Sequence, residues 1–334
     1  MKIVIDNAIP YIKGRFGGNV KDVYLPGKEI TAEDVRDADT LIVRTRTLCD
    51  RNLLEDSKVK LISTATIGTD HIDMDWCDEK GITVKNAPGC NAPGVAQYVF
   101  ASILRMGFDP KKDTLGVIGH GNVGNTVSGW AKEMGIKTMI SDAPKQEAGF
   151  DDVEYRSQEE VLKECRFVTL HVPYTTDGPF PTHDLIGEND LTLMKPDSVL
   201  INTSRGGVVN EKAWKKVLEK GGRRAVIDVW GNEPEIDHEL VTLATIATPH
   251  IAGYSLEGKK RATRMTLVNV REKFGIDVDL KGLDCTPPED LKITPQLICR
   301  SYDPETDSNK LKNDIAEFEN LRNRYEYRHE PQFS

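Results

Sequence analysis

The stretch that decides the fold is TLGVIGHGNVGNTVSGWAKEMGIKTMISD, residues 114–142. An apolar run precedes three glycines spaced G-x-G-x-x-G, a helix-compatible segment follows, and a second apolar run ends at Asp142. Gly119 permits a tight turn, and Gly121 lets the backbone approach a pyrophosphate at the positive end of the helix. Gly124 allows close packing of helix on strand. The whole unit therefore predicts a dinucleotide site, whereas the glycines alone are also compatible with a turn that binds no ligand.

Asp142 indicates which dinucleotide the turn accepts. A carboxylate at the end of the second strand accepts hydrogen bonds from the adenosine ribose hydroxyls, and its charge repels a 2'-phosphate. The predicted cofactor is therefore NAD rather than NADP. His120 lies inside the loop, and we interpret it as a bystander.

Composition sets the class of protein. The chain has 334 residues, which predicts two or three domains, and its 38% hydrophobic and 29% charged residues are typical of globular proteins. No apolar run is as long as the stretch of about 20 residues that a membrane-spanning helix needs. The net charge of -9 argues against binding to nucleic acid. The start, MKIVIDNAIPY, lacks the apolar core of a signal peptide, so we expect a cytoplasmic location.

The cysteines are scattered and form no CxxC pair. This spacing favours reduced thiols and argues against a zinc site or a disulfide scaffold, so no metal is expected. The six positions are Cys49, Cys77, Cys90, Cys165, Cys285 and Cys299.

Short apolar runs of strand type alternate with helix-compatible segments. Strands that alternate with helices pair in parallel, and runs that are apolar throughout are typical of strands covered on both faces, so the pattern predicts doubly wound α/β architecture. A long apolar helix at 93–106 marks the crossing into a second domain, and a helix at 257–275 leads back. The predicted strands are 2–6, 41–44, 61–65, 82–85, 114–118, 137–141, 167–171, 198–202, 224–228 and 245–248.

Unusual polar residues follow three of the later strands. Thr203, Ser204 and Arg205 follow one strand, Asp228 ends the next with Glu233 beyond it, and His250 follows the last. Ligands of open α/β sheets bind at the carboxyl ends of the strands, so these residues are expected on the same edge as the glycine turn.

That set suits the oxidation of a 2-hydroxy acid. His250 can take the hydroxyl proton, with Glu233 fixing its tautomer, and Arg205 can hold the substrate carboxylate at two points. Asp228 can hold the nicotinamide carboxamide. Taken singly, the same residues are also compatible with a strand-end histidine and a structural Arg205–Glu233 ion pair.

These motifs resemble the D-isomer-specific 2-hydroxyacid dehydrogenase family. The shared segments are GHGNVG, INTSRGGVVNE, DVWGNEPE and TPHIAG, in this order and spacing. The resemblance implies catalytic roles for Arg205, Glu233 and His250. It also implies a Rossmann-type NAD-binding domain at 91–256, inserted into a smaller flavodoxin-like substrate domain built from 1–90 and 257–280.

A closer resemblance is to the branch of the family that oxidises 4-phospho-D-erythronate to 2-oxo-3-hydroxy-4-phosphobutanoate in pyridoxal 5'-phosphate biosynthesis. It rests on LIVRTRT, STATIGTDHID, APGCNAPGVAQYVF, PHIAGYSLEGKKRATR and the tail EFENLRNRYEYR. It implies substrate contacts from Thr45, Thr66 and Tyr254, and a C-terminal homodimerisation segment at 281–334, shortened here. The cofactor contacts expected at this stage are Gly119, Gly121, Asn122, Val123, Gly124, Asp142, Val172, Thr203, Ser204, Asp228 and Gly253.

Alternative interpretations stay open for both the tail and the function. Apolar residues at spacings of three and four within 308–334 predict one amphipathic helix, either solvated on its own subunit or in contact with a second one. The same catalytic residues also suit another 2-hydroxy acid, such as 3-phosphoglycerate. The alternative outside the enzymes is a non-catalytic NADH-sensing protein with this fold.

Overall fold

The computed structural model describes residues 1–151, 153–289 and 291–334. The chain forms two compact units, which are Met1–Asn91 with Leu256–Thr286 and Ala92–Ser255 with Pro287–Ser334. Pro287–Ser334 is thus part of the second unit, whereas the sequence led us to expect a segment of its own.

The first unit contains a five-stranded parallel sheet in the order β2-β1-β3-β4-β5. This is the order of flavodoxin-like sheets. Its elements up to the end of the sheet are β1 (Lys2–Asp6), β2 (Lys21–Leu25), α1 (Ala32–Val35), β3 (Thr40–Val43), α2 (Arg51–Leu54), β4 (Leu61–Thr64), α3 (Met74–Glu79) and β5 (Thr83–Lys85).

The second unit contains a six-stranded parallel sheet in the order β11-β10-β9-β8-β6-β7. Tyr155 forms an isolated parallel bridge to Ile140 of β7, which adds the rudiment of one more strand at that edge. The elements are α4 (Ala92–Arg105), β6 (Leu115–Ile118), α5 (Asn122–Glu133), β7 (Thr138–Ser141), α6 (Ala143–Glu147), α7 (Gln158–Glu164), β8 (Phe167–Leu170), α8 (Glu188–Leu193), β9 (Val199–Asn202), α9 (Glu211–Glu219), β10 (Arg224–Ile227), α10 (His238–Leu243) and β11 (Ile246–Ala247).

The sheet of the second unit positions the predicted site. The strand order reverses at β6, whose neighbours are β7 and β8, and the glycine loop follows β6 directly. Ligands of such sheets bind where the order reverses, at the carboxyl ends of the strands. Every residue of β6, β8 and β9 is buried, because helices cover both faces of these strands.

All ten predicted strands are present, shifted by at most two residues at either end. The α/β, doubly wound architecture is confirmed. β2 was not predicted, because its sequence KDVYL carries two charges and its side chains are exposed or half-buried at the edge of the sheet. Edge strands need no continuous apolar run.

After β11 the chain forms α11 (Leu256–Phe274), which belongs to the first unit. The segment that follows returns to the second unit and forms α12 (Pro295–Ser301), α13 (Pro304–Asn313) and α14 (Phe318–Asn323).

The prediction of one amphipathic helix over 308–334 is wrong. α13 ends at Asn313, a 3-10 turn covers Ile315–Glu317, and α14 ends at Asn323. Leu311, in α13, and Phe318, at the start of α14, both lie in one apolar cluster of the second unit, where they are 0% and 2% exposed. The tail thus packs on its own unit through two short helices.

Two further findings concern the chain as a whole. Among the described residues, no helix combines the length and the apolar character needed to cross a membrane. All six cysteines are free, and all but Cys299 are buried.

Candidate active site

The glycine loop joins β6 to α5 with little room between the two elements. Gly119 takes a φ of +89°, which favours glycine, and a Cβ added to Gly124 would come within 2.0 Å of the Gly119 carbonyl oxygen. A Cβ added to Gly121 meets no atom within 4 Å. The loop therefore packs closely on its own helix and leaves open space at Gly121, as a bound pyrophosphate requires.

Asp142 follows β7 and is fixed from two sides. Its Oδ2 accepts a hydrogen bond from the backbone N–H of His120 at 2.7 Å, and its Oδ1 caps α6 by accepting from the N–H of Lys145 at 3.1 Å. The His120 ring is buried and lies 3.0 Å from the hydroxyl of Ser128 and 3.1 Å from that of Tyr155. The predicted ribose carboxylate is thus held next to the glycine loop.

Two more predicted cofactor residues have contacts that fit such a ligand. The Oγ1 of Thr203 is buried and has no hydrogen-bond partner in the part of the chain that the structure describes. Buried hydroxyls are normally satisfied, so this one suits a bound ligand. A Cβ added to Gly119 would come within 2.9 Å of a methyl of Val172, which places Val172 against the glycine loop.

Glu233 and His250 form a direct pair. Nδ1 of His250 lies 2.8 Å from Oε2 and 2.9 Å from Oε1 of Glu233, and Glu233 also accepts the backbone N–H of Trp230. His250 has a φ of +57°, an uncommon conformation for this residue type that often marks functional positions. The pair fixes the ring so that Nε2 is the nitrogen on the far side from Glu233.

Glu233 is set up to remain ionised. Burial raises the pKa of this carboxyl, but the positive charges and hydrogen bonds of His250 and Arg322 outweigh burial, and the net pKa lies below its ordinary value. An ionised partner stabilises the imidazolium that forms when a histidine takes up a proton.

Asp228 has a role that the sequence did not indicate. Its carboxylate is 1% exposed and accepts hydrogen bonds from the hydroxyl of Thr248 at 2.6 Å and from the N–H groups of Ile251 and Ala252. Burial raises its pKa, against the effects of His250 and these hydrogen bonds. Asp228 therefore fastens the loop that carries His250.

Arg205 lies on the loop after β9, next to the loop that carries Glu233. A Cβ added to Gly206 would come within 1.9 Å of the Trp230 carbonyl oxygen, so the two loops touch. The side chain of Asn202 accepts from the N–H and hydroxyl of Ser204 and donates to the Arg205 carbonyl, which shapes the loop. Arg205 thus follows β9, and Glu233 follows the neighbouring strand β10.

No metal site accompanies these residues. Among the described residues, no three His, Cys, Asp or Glu side chains lie together as metal ligands.

Comparisons with known proteins show the family of the chain. Residues 97–252 match the family model for the NAD binding domain of D-isomer specific 2-hydroxyacid dehydrogenases. The chain is 42% identical to the erythronate-4-phosphate dehydrogenase of Bacteroides fragilis, over 99% of this chain and 97% of that one. It is 37% identical to that of Escherichia coli O157:H7, over 99% and 92%.

The chain belongs to the erythronate-4-phosphate dehydrogenase family.

Among solved structures, the NAD+-bound 3-phosphoglycerate dehydrogenase of Entamoeba histolytica is similar, with a TM-score of 0.68 and 25% identity over 84% of this chain and 97% of that one. Membership of the family confirms two predictions, an NAD-dependent oxidoreductase and the cofactor NAD. The roles of individual residues stay predictions.

In the first unit, the predicted substrate contacts Thr45 and Thr66 lie on the segments that follow β3 and β4. Thr45 is exposed and follows Arg44, whose Nε donates to the buried Asp6 at 3.2 Å. The hydroxyl of Thr66 lies 2.6 Å from that of Thr64 and donates to the Gly68 carbonyl.

In the second unit, the tail supplies residues that sequence reasoning missed. Arg322 donates to Glu233 at 3.0 Å and lies 3.4 Å from the hydroxyl of Tyr254, the third predicted substrate contact. Arg328 donates to carbonyls on either side of Gly253. Nothing local signals these contacts, because Arg322 and Glu233 are 89 positions apart.

Proposed function

We propose that this protein oxidises 4-phospho-D-erythronate to 2-oxo-3-hydroxy-4-phosphobutanoate with NAD, a step of pyridoxal 5'-phosphate biosynthesis. The observation that carries the proposal is the His250–Glu233 pair, at 2.8 Å, in a chain 42% identical to an erythronate-4-phosphate dehydrogenase. A general base oriented by a carboxylate is what the oxidation of a secondary alcohol requires.

Proton transfer and substrate binding are assigned to different residues. Nε2 of His250 takes the proton of the substrate hydroxyl, and Glu233 stabilises the resulting imidazolium through Nδ1. Arg205 holds the substrate carboxylate and polarises the oxygen that becomes a carbonyl. Thr45, Thr66 and Tyr254 stay the predicted substrate contacts.

Bound NAD supplies the acceptor for the hydride that leaves the hydroxyl-bearing carbon. The open space at Gly121 would accommodate its pyrophosphate, and Asp142 would accept hydrogen bonds from its ribose hydroxyls. The hydroxyl of Thr203, which has no hydrogen-bond partner among the described residues, offers a further contact. Asn122, Val123, Ser204, Asp228 and Gly253 also stay predicted cofactor contacts.

The substrate is tested by measuring NADH formation with 4-phospho-D-erythronate and D-3-phosphoglycerate in parallel. We expect kcat/KM to be at least about tenfold higher for 4-phospho-D-erythronate, which corresponds to about 1.4 kcal/mol of selective transition-state binding. The fold likeness to a 3-phosphoglycerate dehydrogenase makes that acid the second candidate. A higher kcat/KM for D-3-phosphoglycerate would replace the proposed substrate.

The cofactor preference is tested by replacing Asp142 with asparagine. The amide oxygen can still cap α6 at Lys145, although the amide NH2 cannot accept from the N–H of His120, and the charge that repels a 2'-phosphate is gone. We expect the ratio of kcat/KM for NAD over NADP to fall by about tenfold or more. Glu147→Gln, which removes an exposed charge from the same helix, is the control. An unchanged ratio in the Asp142 variant would show that the ribose contact is misassigned.

We also propose that the protein acts as a cytoplasmic homodimer. The exposed remainder of the C-terminal segment is the candidate contact surface. Leu311 and Phe318 are already buried within their own unit and do not contribute to it.

A further inference from the structure

Arg322 shares a carboxylate oxygen with the predicted catalytic histidine. Oε2 of Glu233 lies 2.8 Å from Nδ1 of His250 and 3.0 Å from Nη1 of Arg322. The side chains of Glu233 and Arg322 are 17% and 18% exposed, so this contact is largely shielded from solvent. Nε of Arg322 also lies 3.4 Å from the hydroxyl of Tyr254.

We propose that Arg322 is a positioning residue for the reaction, whose fixed charge keeps the His250–Glu233 pair in its proton-accepting form at neutral pH and orients Tyr254. This inference rests on the proposed function, because it assigns Arg322 to the same proton transfer. Arg322 acts through Glu233 and Tyr254.

The packing of the tail fixes the position of Arg322. Phe318, at the start of α14, lies in the apolar cluster of the second unit, and Leu321 packs against the same cluster. Two anchored side chains thus precede Arg322 within its own short helix. This restricts the guanidinium and reduces the entropy lost when it binds Glu233.

The charges around the pair determine the direction of the effect. Two further acidic groups of the described chain act on it, since Asp228 interacts with His250 and Glu211 with Glu233. Both favour proton uptake by the pair, and the Arg322 guanidinium opposes it. Removing the guanidinium therefore makes the pair take up a proton at higher pH, where it can no longer act as a base.

The test is the pH dependence of kcat/KM for 4-phospho-D-erythronate in the full-length protein. In Arg322→Gln we expect the acid limb of the profile to move to higher pH by about one unit. Arg322→Lys keeps the charge and restores most of the shift. Arg324→Gln, which removes an exposed positive charge two residues away, leaves the limb within about 0.2 units of the wild type.

A second measurement separates this inference from the proposed substrate. The imidazole titration of His250, followed by NMR and assigned with His250→Asn, needs no turnover, and its midpoint should move to higher pH in Arg322→Gln. If the wild type does not oxidise 4-phospho-D-erythronate but the titration shifts, the substrate proposal fails and the role of Arg322 stands.

Two outcomes would overturn the role of Arg322. One is an unchanged limb and an unchanged titration in Arg322→Gln. The other is an equal loss of activity at every pH in both the glutamine and the lysine variant, which indicates a purely structural side chain. Should the glutamine variant fail to fold, Arg322→Met, which keeps the length of the side chain, takes its place in both measurements.

Discussion

Replacing His250 with asparagine lowers kcat for 4-phospho-D-erythronate by about 100- to 10,000-fold, the usual contribution of a general base. Asparagine suits the experiment because it tolerates a positive φ, and His250 takes +57°. The variant therefore removes the titrating ring without straining the loop. NAD affinity, measured by calorimetry, should change by less than about threefold, because the glycine loop and Asp142 are left intact.

The matched control is His238→Asn, an exposed histidine at the start of α10 in the same unit. It should leave both kcat and NAD affinity at their wild-type values. Turnover in the His250 variant that stays within about threefold of the wild type would show that another group takes the proton.

Replacing Arg328 with methionine is expected to cause the largest loss of stability. Its Nε donates to the side chain of Gln97 at 2.9 Å, and its Nη atoms donate to a ring of backbone carbonyls while the guanidinium stacks 4.2 Å over Tyr302. The carbonyls belong to Gly94, Ile251, Ala252 and Tyr254. Methionine fills similar space but leaves these acceptors without their donor, at about 3–5 kcal/mol.

Thermal unfolding measures this effect. For a unit of this size, the loss corresponds to a fall in Tm of about 10 °C. Three of the four carbonyls lie just after His250, so we also expect kcat to fall in the variant at temperatures where it remains folded. Arg300→Met, in the exposed part of α12, is the control and should change Tm by less than about 1 °C. A similarly small change in the Arg328 variant would mean that water replaces the guanidinium without cost.

The strands were predictable because their signal is local. A parallel strand covered on both faces must be apolar throughout, and runs such as FVTL and VLIN carry that requirement in consecutive residues. β2 was missed because an edge strand is under no such requirement. The tail helix was predicted from periodicity alone, and periodicity shows neither the end of α13 at Asn313 nor the 3-10 turn that follows it.

The site was predictable in part for the same reason. The glycine loop lies within one βα unit, so its residue types and spacing follow from a single turn. The residues after β9, β10 and β11 could be assigned to one edge because parallel strands end on the same side. The hydrogen bonds of Asp228 to the loop of His250 depend on side-chain directions that spacing does not encode.

By itself, the sequence determined the two α/β sheets, the glycine turn after β6 and the placement of Glu233 and His250 at one edge of the sheet, since each follows from local patterning or from the order of parallel strands. Only the tertiary structure decided that Arg322 and Arg328 belong to the surroundings of His250. Both side chains reach their partners across about 70 to 230 positions of sequence, and contacts at that separation arise from the packing of the tail on the second unit, for which no short motif exists.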